Sequence, residues 1–241
     1  MKKKINWDSF IYNFVFITLI MSVVFLIIRI ILAPSEAISD EIRVKSDYLL
    51  MLVQCILGVV AMRLPDFIEH KIHIHIPSNM LLLYAIFMYC AIYLGEVRAF
   101  YYHVHHWDTI LHTFSGGMLG ALGFSFVTIL NNSDRIPMDL SPSFVAIFAF
   151  CFAVTLGVFW EIYEFTFDGI LRLNMQKFML ENGTMLVGRA ALMDTMKDLI
   201  VDCLGAFIMC FVGYLSLKYE TGLIEKIQLI RKKDSRKESI E

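Results

Sequence analysis

The stretch Phe144-Val-Ala-Ile-Phe-Ala-Phe-Cys-Phe-Ala-Val-Thr-Leu-Gly-Val-Phe-Trp-Glu-Ile-Tyr-Glu-Phe165 decides the fold. It carries no charge from Phe144 to Trp160 and then places Glu161 and Glu164 near its end. About 20 mostly apolar residues at ~1.5 Å rise cross the hydrocarbon core of a bilayer. The run is therefore long enough to span a membrane as one helix. Its two carboxylates, three residues apart, share a face of that helix.

Five further apolar blocks extend this reading: Phe10–Leu32, Tyr48–Ala61, Met80–Leu94, Thr109–Leu130 and Asp194–Leu217. The Tyr48–Ala61 block is short unless Arg63 snorkels, and with Met80–Leu94 it has a pair of re-entrant segments as its alternative. The first block follows Lys2, Lys3 and Lys4 as a signal peptide would. It exceeds the usual ~7–15-residue apolar region of such peptides and is followed by no clear small-x-small cleavage site, so it reads as an uncleaved anchor. The expectation is an all-α, polytopic integral membrane helical bundle of about six transmembrane helices. Residues 1–220 form a single transmembrane domain and residues 221–241 a basic cytoplasmic tail.

Composition agrees. Hydrophobic residues make up 58% of the 241 and charged residues 18%, against roughly 25% charged in soluble domains. A formal net charge of −2 gives no basis for nucleic acid as a partner. Membrane lipids are the expected surroundings. The five cysteines all fall in apolar blocks without a C-x-x-C spacing and read as small core residues.

Basic residues orient the bundle. With the N-terminus inside, the inner set is Lys2, Lys3, Lys4, Arg63, Lys71, Arg135, Lys218, Lys226, Arg231, Lys232, Lys233, Arg236 and Lys237. The outer set is Arg29, Arg43, Lys45, Arg98, Arg172, Lys177, Arg189 and Lys197. That split of 13 to 8 places both termini in the cytoplasm. Two connections stand out. Leu64–Pro77, with His70, His73 and His75, is amphipathic and is expected to lie on the membrane surface, its alternating His and Ile forming a half-buried extended strip. Thr166–Met193, with the turn signal Asn182-Gly183, is long enough for a lid or binding element.

Ionisable groups inside membrane helices are costly and mark function by default. Here they come in pairs. Asp108 and His112 open the fourth helix, Glu161 and Glu164 close the fifth, and Asp194 and Asp198 open the sixth with Asp202 beyond them. Alternating helix direction puts all three pairs at one depth, in the outer half of the bilayer. Close carboxylates cannot all remain ionised unless protons, cations or metal neutralise them. The candidate internal cations are His112, Lys197, Arg98 and Arg189. Asp202, ~12 Å along the axis from Asp194, is expected to matter less. The plainer reading makes Asp108 and Asp194 N-caps and lets Glu164 reach water. It does not account for His112, Glu161, Asp198 or Asp202. His103, His105 and His106 lie in an aromatic interfacial stretch, and Glu96 can join the cluster from the third helix. Gly116, Gly117, Gly120 and Gly123 read as close helix packing.

These pieces resemble the YjdF-type family of uncharacterised bacterial inner-membrane proteins. The matching residues are Trp107-Asp108-Thr-Ile-Leu-His112 with Ser115-Gly116, then Trp160-Glu161-Ile-Tyr-Glu164-Phe165, then Asp194-Thr-Met-Lys-Asp198-Leu199 with Asp202 and Gly205-Ala206. The likeness covers roughly the last two-thirds of the chain. It departs at Lys197, where the family pattern has an aromatic. The Asp-x-x-x-His pair alone is also similar to VanZ-type membrane proteins. The resemblance implies a multi-pass protein of the bacterial cytoplasmic membrane and supplies no reaction.

Two readings of the cluster stand. In the first it is a divalent-metal site (Zn, Mn, Fe or Mg) of a membrane enzyme acting on a lipid-linked substrate. Asp108, His112, Glu161 and Asp198 are then the metal ligands, and Glu164 or Asp194 is a catalytic base or supporting partner. In the second, the acids and His112 serve a proton- or cation-coupled transporter. A polar face that pairs with a membrane assembly partner is a third use.

Overall fold

The computed structural model describes residues 7–34, 45–131, 140–171, 173–180, 183–224, 227 and 229–231. Among them, six helices are long and apolar enough to cross a membrane. Helix α1 is Trp7–Leu32 and α2 is Lys45–Ile72. A two-residue strand β1 (Ile74–His75) leads to α3 (Ser78–Met88), which continues as a π-helix over Tyr89–Val97. The short α4 (Phe100–His103) precedes α5 (Trp107–Asn131), α6 (Pro142–Leu171) and α7 (Met193–Lys218), and strand β2 (Ile230–Arg231) follows.

Many large apolar side chains point outward, Ile17, Ile31, Phe165 and Phe207 among them. A bilayer supplies the apolar surroundings that water cannot, and a helix satisfies its own backbone there. The Tyr48–Ala61 and Met80–Leu94 blocks both lie within full-length helices. The first runs through Pro65 to Ile72. Pro65 removes one backbone donor, and the helix tolerates the loss. Leu64–Ile72 is thus the end of α2 and no separate surface element. Only the last part of that segment is extended: His73 and His75 are exposed while Ile74 and Ile76 are buried. His75 Nδ1 lies 2.8 Å from Glu69 Oε1.

The helices form two packed groups. In the first, α1, α2 and α3 share the core residues Val15, Leu19, Met62, Ala85 and Met88. In the second, α5 packs on α7 and α6 around Phe124, Val127, Val145, Ala149 and Cys210. Small residues set the α5–α7 approach. A Cβ on Gly205 would stand 2.0 Å from the Thr113 carbonyl oxygen, and one on Gly116 would stand 2.3 Å from that of Asp202. Both obstacles are backbone, so only glycine fits at either position.

Phe87 stacks on Phe114 between the groups, and the Trp107 indole N–H donates to the Cys90 carbonyl at 3.3 Å. The second link is the chain after α7. It returns to pair β2 with β1 antiparallel, Ile74 opposite Arg231 and His75 opposite Ile230. Ile224 is buried against the Phe124 core, and Leu229 is buried with Ile74 and Ile76. The Leu229 N–H donates to the buried Ser125 hydroxyl at 3.1 Å. The basic tail, expected from residue 221, lies outside the described residues after Arg231.

Candidate functional site

Two of the three chemistry-bearing helices, α6 and α7, each carry one continuous buried stripe. On α6 it is Val145, Ala149, Ala153, Gly157, Glu161, Glu164 and Asp168. On α7 it is Asp198, Asp202, Gly205, Ala206, Cys210, Gly213 and Ser216. The spacing of three and four keeps each stripe on one face. Apolar or small residues occupy one end and carboxylates the other. Small residues let the acids approach: a Cβ on Gly157 would stand 3.0 Å from Asp202 Oδ2.

Asp108, His112 and Asp198 each place one potential ligand atom so that all three lie within 4.8 Å of one another. His112 is held from both sides. Its Nδ1 lies 3.3 Å from Asp202 Oδ2, and its Nε2 lies 3.7 Å from Asp108 Oδ1. The Ser115 hydroxyl donates to Asp202 Oδ1 at 3.1 Å and completes that carboxylate's setting. Asp202 is therefore a direct partner of His112, closer to the cluster than its depth along α7 suggests. The axial distance from Asp194 counts only along α7, whereas α5 brings His112 down to meet Asp202.

Asp108 and Asp194 do not act as N-caps. The α7 N-cap is Leu192, without a side-chain cap bond, and the Asp194 carboxylate lies 3.4 Å from Lys177 Nζ. Lys177 Nζ also donates to Asp108 Oδ2. Glu164 is buried at 9% exposure, away from water, and its Oε1 accepts the Trp160 indole N–H at 2.9 Å. Glu161 Oε2 and the Glu161 carbonyl each lie 3.4 Å from Gln176 Nε2, which donates a shorter bond of 3.0 Å to Thr195 Oγ1. Two buried carboxylate oxygens, Glu161 Oε1 and Asp198 Oδ1, have no hydrogen-bond donor among the described residues. Glu161 stands beside the group of three, not within it.

The connecting loop supplies what the helices lack. α6 runs to Leu171, so the loop begins later than Thr166. The Asp168 carboxylate accepts the Met175 and Gln176 N–H groups at 2.8 and 3.0 Å. Asn174 brackets Met179, donating to its carbonyl at 2.6 Å and accepting its N–H at 3.0 Å. Beyond them the Leu180 N–H donates to the Thr184 carbonyl at 3.0 Å, and Gly183, at φ 80°, donates its N–H to the Leu180 carbonyl at 2.9 Å. Asn182 lies outside the described residues. These anchors aim Lys177 into the acids, its ammonium 5.6 Å from the Tyr101 ring centre. Burial acts against the Lys177 charge. The Asp108 and Asp194 carboxylates outweigh it and hold the ammonium above the ordinary lysine range. The Tyr101 phenol is pushed well above the usual tyrosine range, first by burial and then by Glu96, Asp108, Glu164 and Asp198.

Lys177 is the site cation that sequence reasoning missed. Arg98 and Arg189, its expected rivals, are exposed, and Lys197 is half-buried. Asp168 falls in the loop expected from Thr166, although its i+4 spacing from Glu164 continues the Glu161–Glu164 stripe. Lys177 gave no comparable signal, because its position depends on loop backbone. The exposed His103, His105 and His106 add nothing to the cluster; the rings of His105 and His106 are 3.7 Å apart, and His103 Nδ1 bonds the Ala99 carbonyl.

Residues 11–219 match the model of a family described as predicted membrane protein (DUF2238). A relative from Thermotoga maritima, an uncharacterized protein, is 34% identical over 151 residues, 62% of this chain and 69% of that protein. No solved structure matches. The matched region holds five spans whole, most of the first, and every residue of the acidic cluster, so this chain belongs to the DUF2238 family of predicted membrane proteins, the family that its YjdF-type motifs resemble.

Proposed function

We propose that this chain is a divalent-metal-dependent membrane enzyme whose ligands are Asp108, His112 and Asp198. The observation that carries the reading is the approach of those three ligand atoms to within 4.8 Å of one another. The donor set fits a metal. Two carboxylates and an imidazole suit Zn, Mn or Fe, and Mg less well. Asp202 on Nδ1 orients the ring so that Nε2 faces the ligand group, the arrangement in which a carboxylate fixes a metal-binding histidine. The unpartnered Asp198 Oδ1 is a buried acceptor that a cation would satisfy.

Bound there, a metal would supply Lewis acidity toward a carbonyl or phosphoryl oxygen, or acidify a water. Glu164 is the better candidate base, because Asp194 is engaged by Lys177. A lipid-linked substrate fits the surroundings. An apolar cavity of about 230 Å³ runs between α3, α5 and α7, lined by Met80, Leu83, Thr113, Phe114, Gly117 and Ile208 among others. Thr113 follows His112 directly, so a hydrocarbon tail in that cavity would bring its polar end to the cluster. A transporter needs polar steps toward the other end of the bundle. There, among the described residues, the interior of α5, α6 and α7 holds no buried acid or base: it is centred on Phe124 and Val127, with the hydroxyls of Ser125 and Ser216 as its buried polar groups. The proposed setting is the bacterial cytoplasmic membrane, with both termini cytoplasmic and the cluster in the outer half.

Elemental analysis of the purified protein, followed by calorimetric titration of a chelated sample with Mn or Zn, tests the reading. The expected result is near-stoichiometric metal that Asp198→Asn loses. Sub-stoichiometric metal together with no heat on titration would sink it and move the assignment to proton coupling.

A further inference from the structure

The metal reading leaves one cation of the cluster without a role. Lys177 belongs to a loop, and its ammonium contacts Asp108 and Asp194. The loop around it is built for this contact. Asp168 holds the two preceding N–H groups, Gln176 reaches Thr195, and Asn174 holds Met179 on the far side. Lys177 itself has φ 47°, a left-handed conformation that residues with a Cβ seldom adopt. Surrounding contacts must impose it, because the residue gains nothing locally.

Asp108 is at once the acceptor of that ammonium and one of the three ligands. A lysine ammonium offers three donors and no acceptor, so it cannot coordinate a metal. Placed beside a divalent ion on one small carboxylate, it would be repelled strongly where water is scarce. We infer that Lys177 is a tethered competitor of the metal ion, and that a divalent cation entering at Asp108, His112 and Asp198 expels it from Asp108 and loosens the loop of residues 173–180. This inference rests on the metal reading above. The ammonium has somewhere to go: Asp194 remains within reach, and the Lys177 side chain is 27% exposed. A cation too weak to displace an ammonium from Asp108, such as a monovalent one, would leave the loop closed. The loop thereby couples site occupancy to access.

The experiment uses the full chain in lipid nanodiscs with Mn²⁺ as the probe. Calorimetric titrations compare wild type, Lys177→Met and Lys177→Arg, and hydrogen exchange follows the amides of residues 174–180. Lys177→Met should bind Mn²⁺ roughly tenfold tighter or more, because no buried ion pair has to be broken. Lys177→Arg should stay near wild type. Mn²⁺ should speed exchange at Met175 and Gln176 in wild type. Equal or weaker Mn²⁺ affinity in Lys177→Met, with wild type still binding, would overturn the competitor role and leave the metal reading standing. No binding by any of the three would remove both. If Lys177→Met does not yield folded protein, wild-type exchange decides alone: slower or unchanged exchange on Mn²⁺ binding overturns the inference.

Discussion

His112 has two ring nitrogens with different neighbours, and its chemistry follows from that asymmetry. Asp202 takes the Nδ1 side at 3.3 Å, and Asp108 lies 3.7 Å from the Nε2 side. Asp202→Asn should therefore weaken metal binding by about 10–100-fold although Asp202 is no ligand, the usual effect of removing a carboxylate behind a metal-bound histidine. His112→Ala should change which metal is retained as well as how much, since the imidazole favours Zn, Fe or Mn over Mg. Elemental analysis after growth in mixed metals checks both; an Asp202→Asn protein with wild-type content and selectivity would refute the orienting role. Affinity should fall as pH drops, because the ligands must lose protons to bind, and titrations at two pH values test this. Lys177 has the opposite sign. Its ammonium is held above the usual lysine range, so its ion pairs contribute fully below an unfolded pKa of about 10.4 and are lost only as pH rises past the folded value. Between about pH 6 and 9 no change in stability should trace to Lys177, and Lys177→Met should shift Tm equally at both ends of that window.

At the scale of the element, α5 and α7 touch backbone to backbone where Gly116 and Gly205 lie. A side chain there meets atoms that cannot rotate away. Gly205→Leu should cost ~1–3 kcal/mol or more by overpacking, seen as a clear fall in Tm or loss of monodisperse protein. Gly169 on α6 is the control, since a Cβ there meets nothing within 4 Å. Gly169→Ala should be neutral or stabilising by ~0.5–1 kcal/mol, as expected within a helix. Similar Tm changes for the two variants would show that the α5–α7 approach is looser than described. The stripes that carry the acids were legible in the sequence for Glu161 with Glu164 and for Asp194, Asp198 and Asp202, which follow helical spacing; Asp168 was not, because the stretch from Thr166 read as a loop. The continuation of α2 through Pro65 was not legible either. Proline ends helices in water, and the cost of unsatisfied backbone in lipid reverses that preference.

At the scale of the molecule, two helix groups are joined through the Phe87–Phe114 contact and through the returning chain at the opposite end from the acids. Leu229 is buried where this chain meets both groups. Leu229→Ala should therefore destabilise the bundle by ~2–5 kcal/mol, the range for emptying a buried leucine site. Thermal unfolding in nanodiscs checks it, and a shift no larger than that of an exposed leucine such as Leu223 would refute the clamp. Orientation is testable separately. A C-terminal reporter that works only in the cytoplasm should be active, and one that works only when exported should be silent.

Span number, helical class and the shared depth of the acid pairs follow from the sequence alone. A bilayer admits few backbone solutions, and an i, i+3 or i, i+4 spacing survives whatever the helix packs against. The partner of each charge does not follow. Lys177 meets Asp108 across 69 residues and His112 meets Asp202 across 90. Such pairings depend on how close glycines let two helices come and on how one loop is pinned by Asp168. No local pattern encodes either distance, so only the tertiary structure decided that the cluster has its own lysine and that its histidine has a carboxylate behind it.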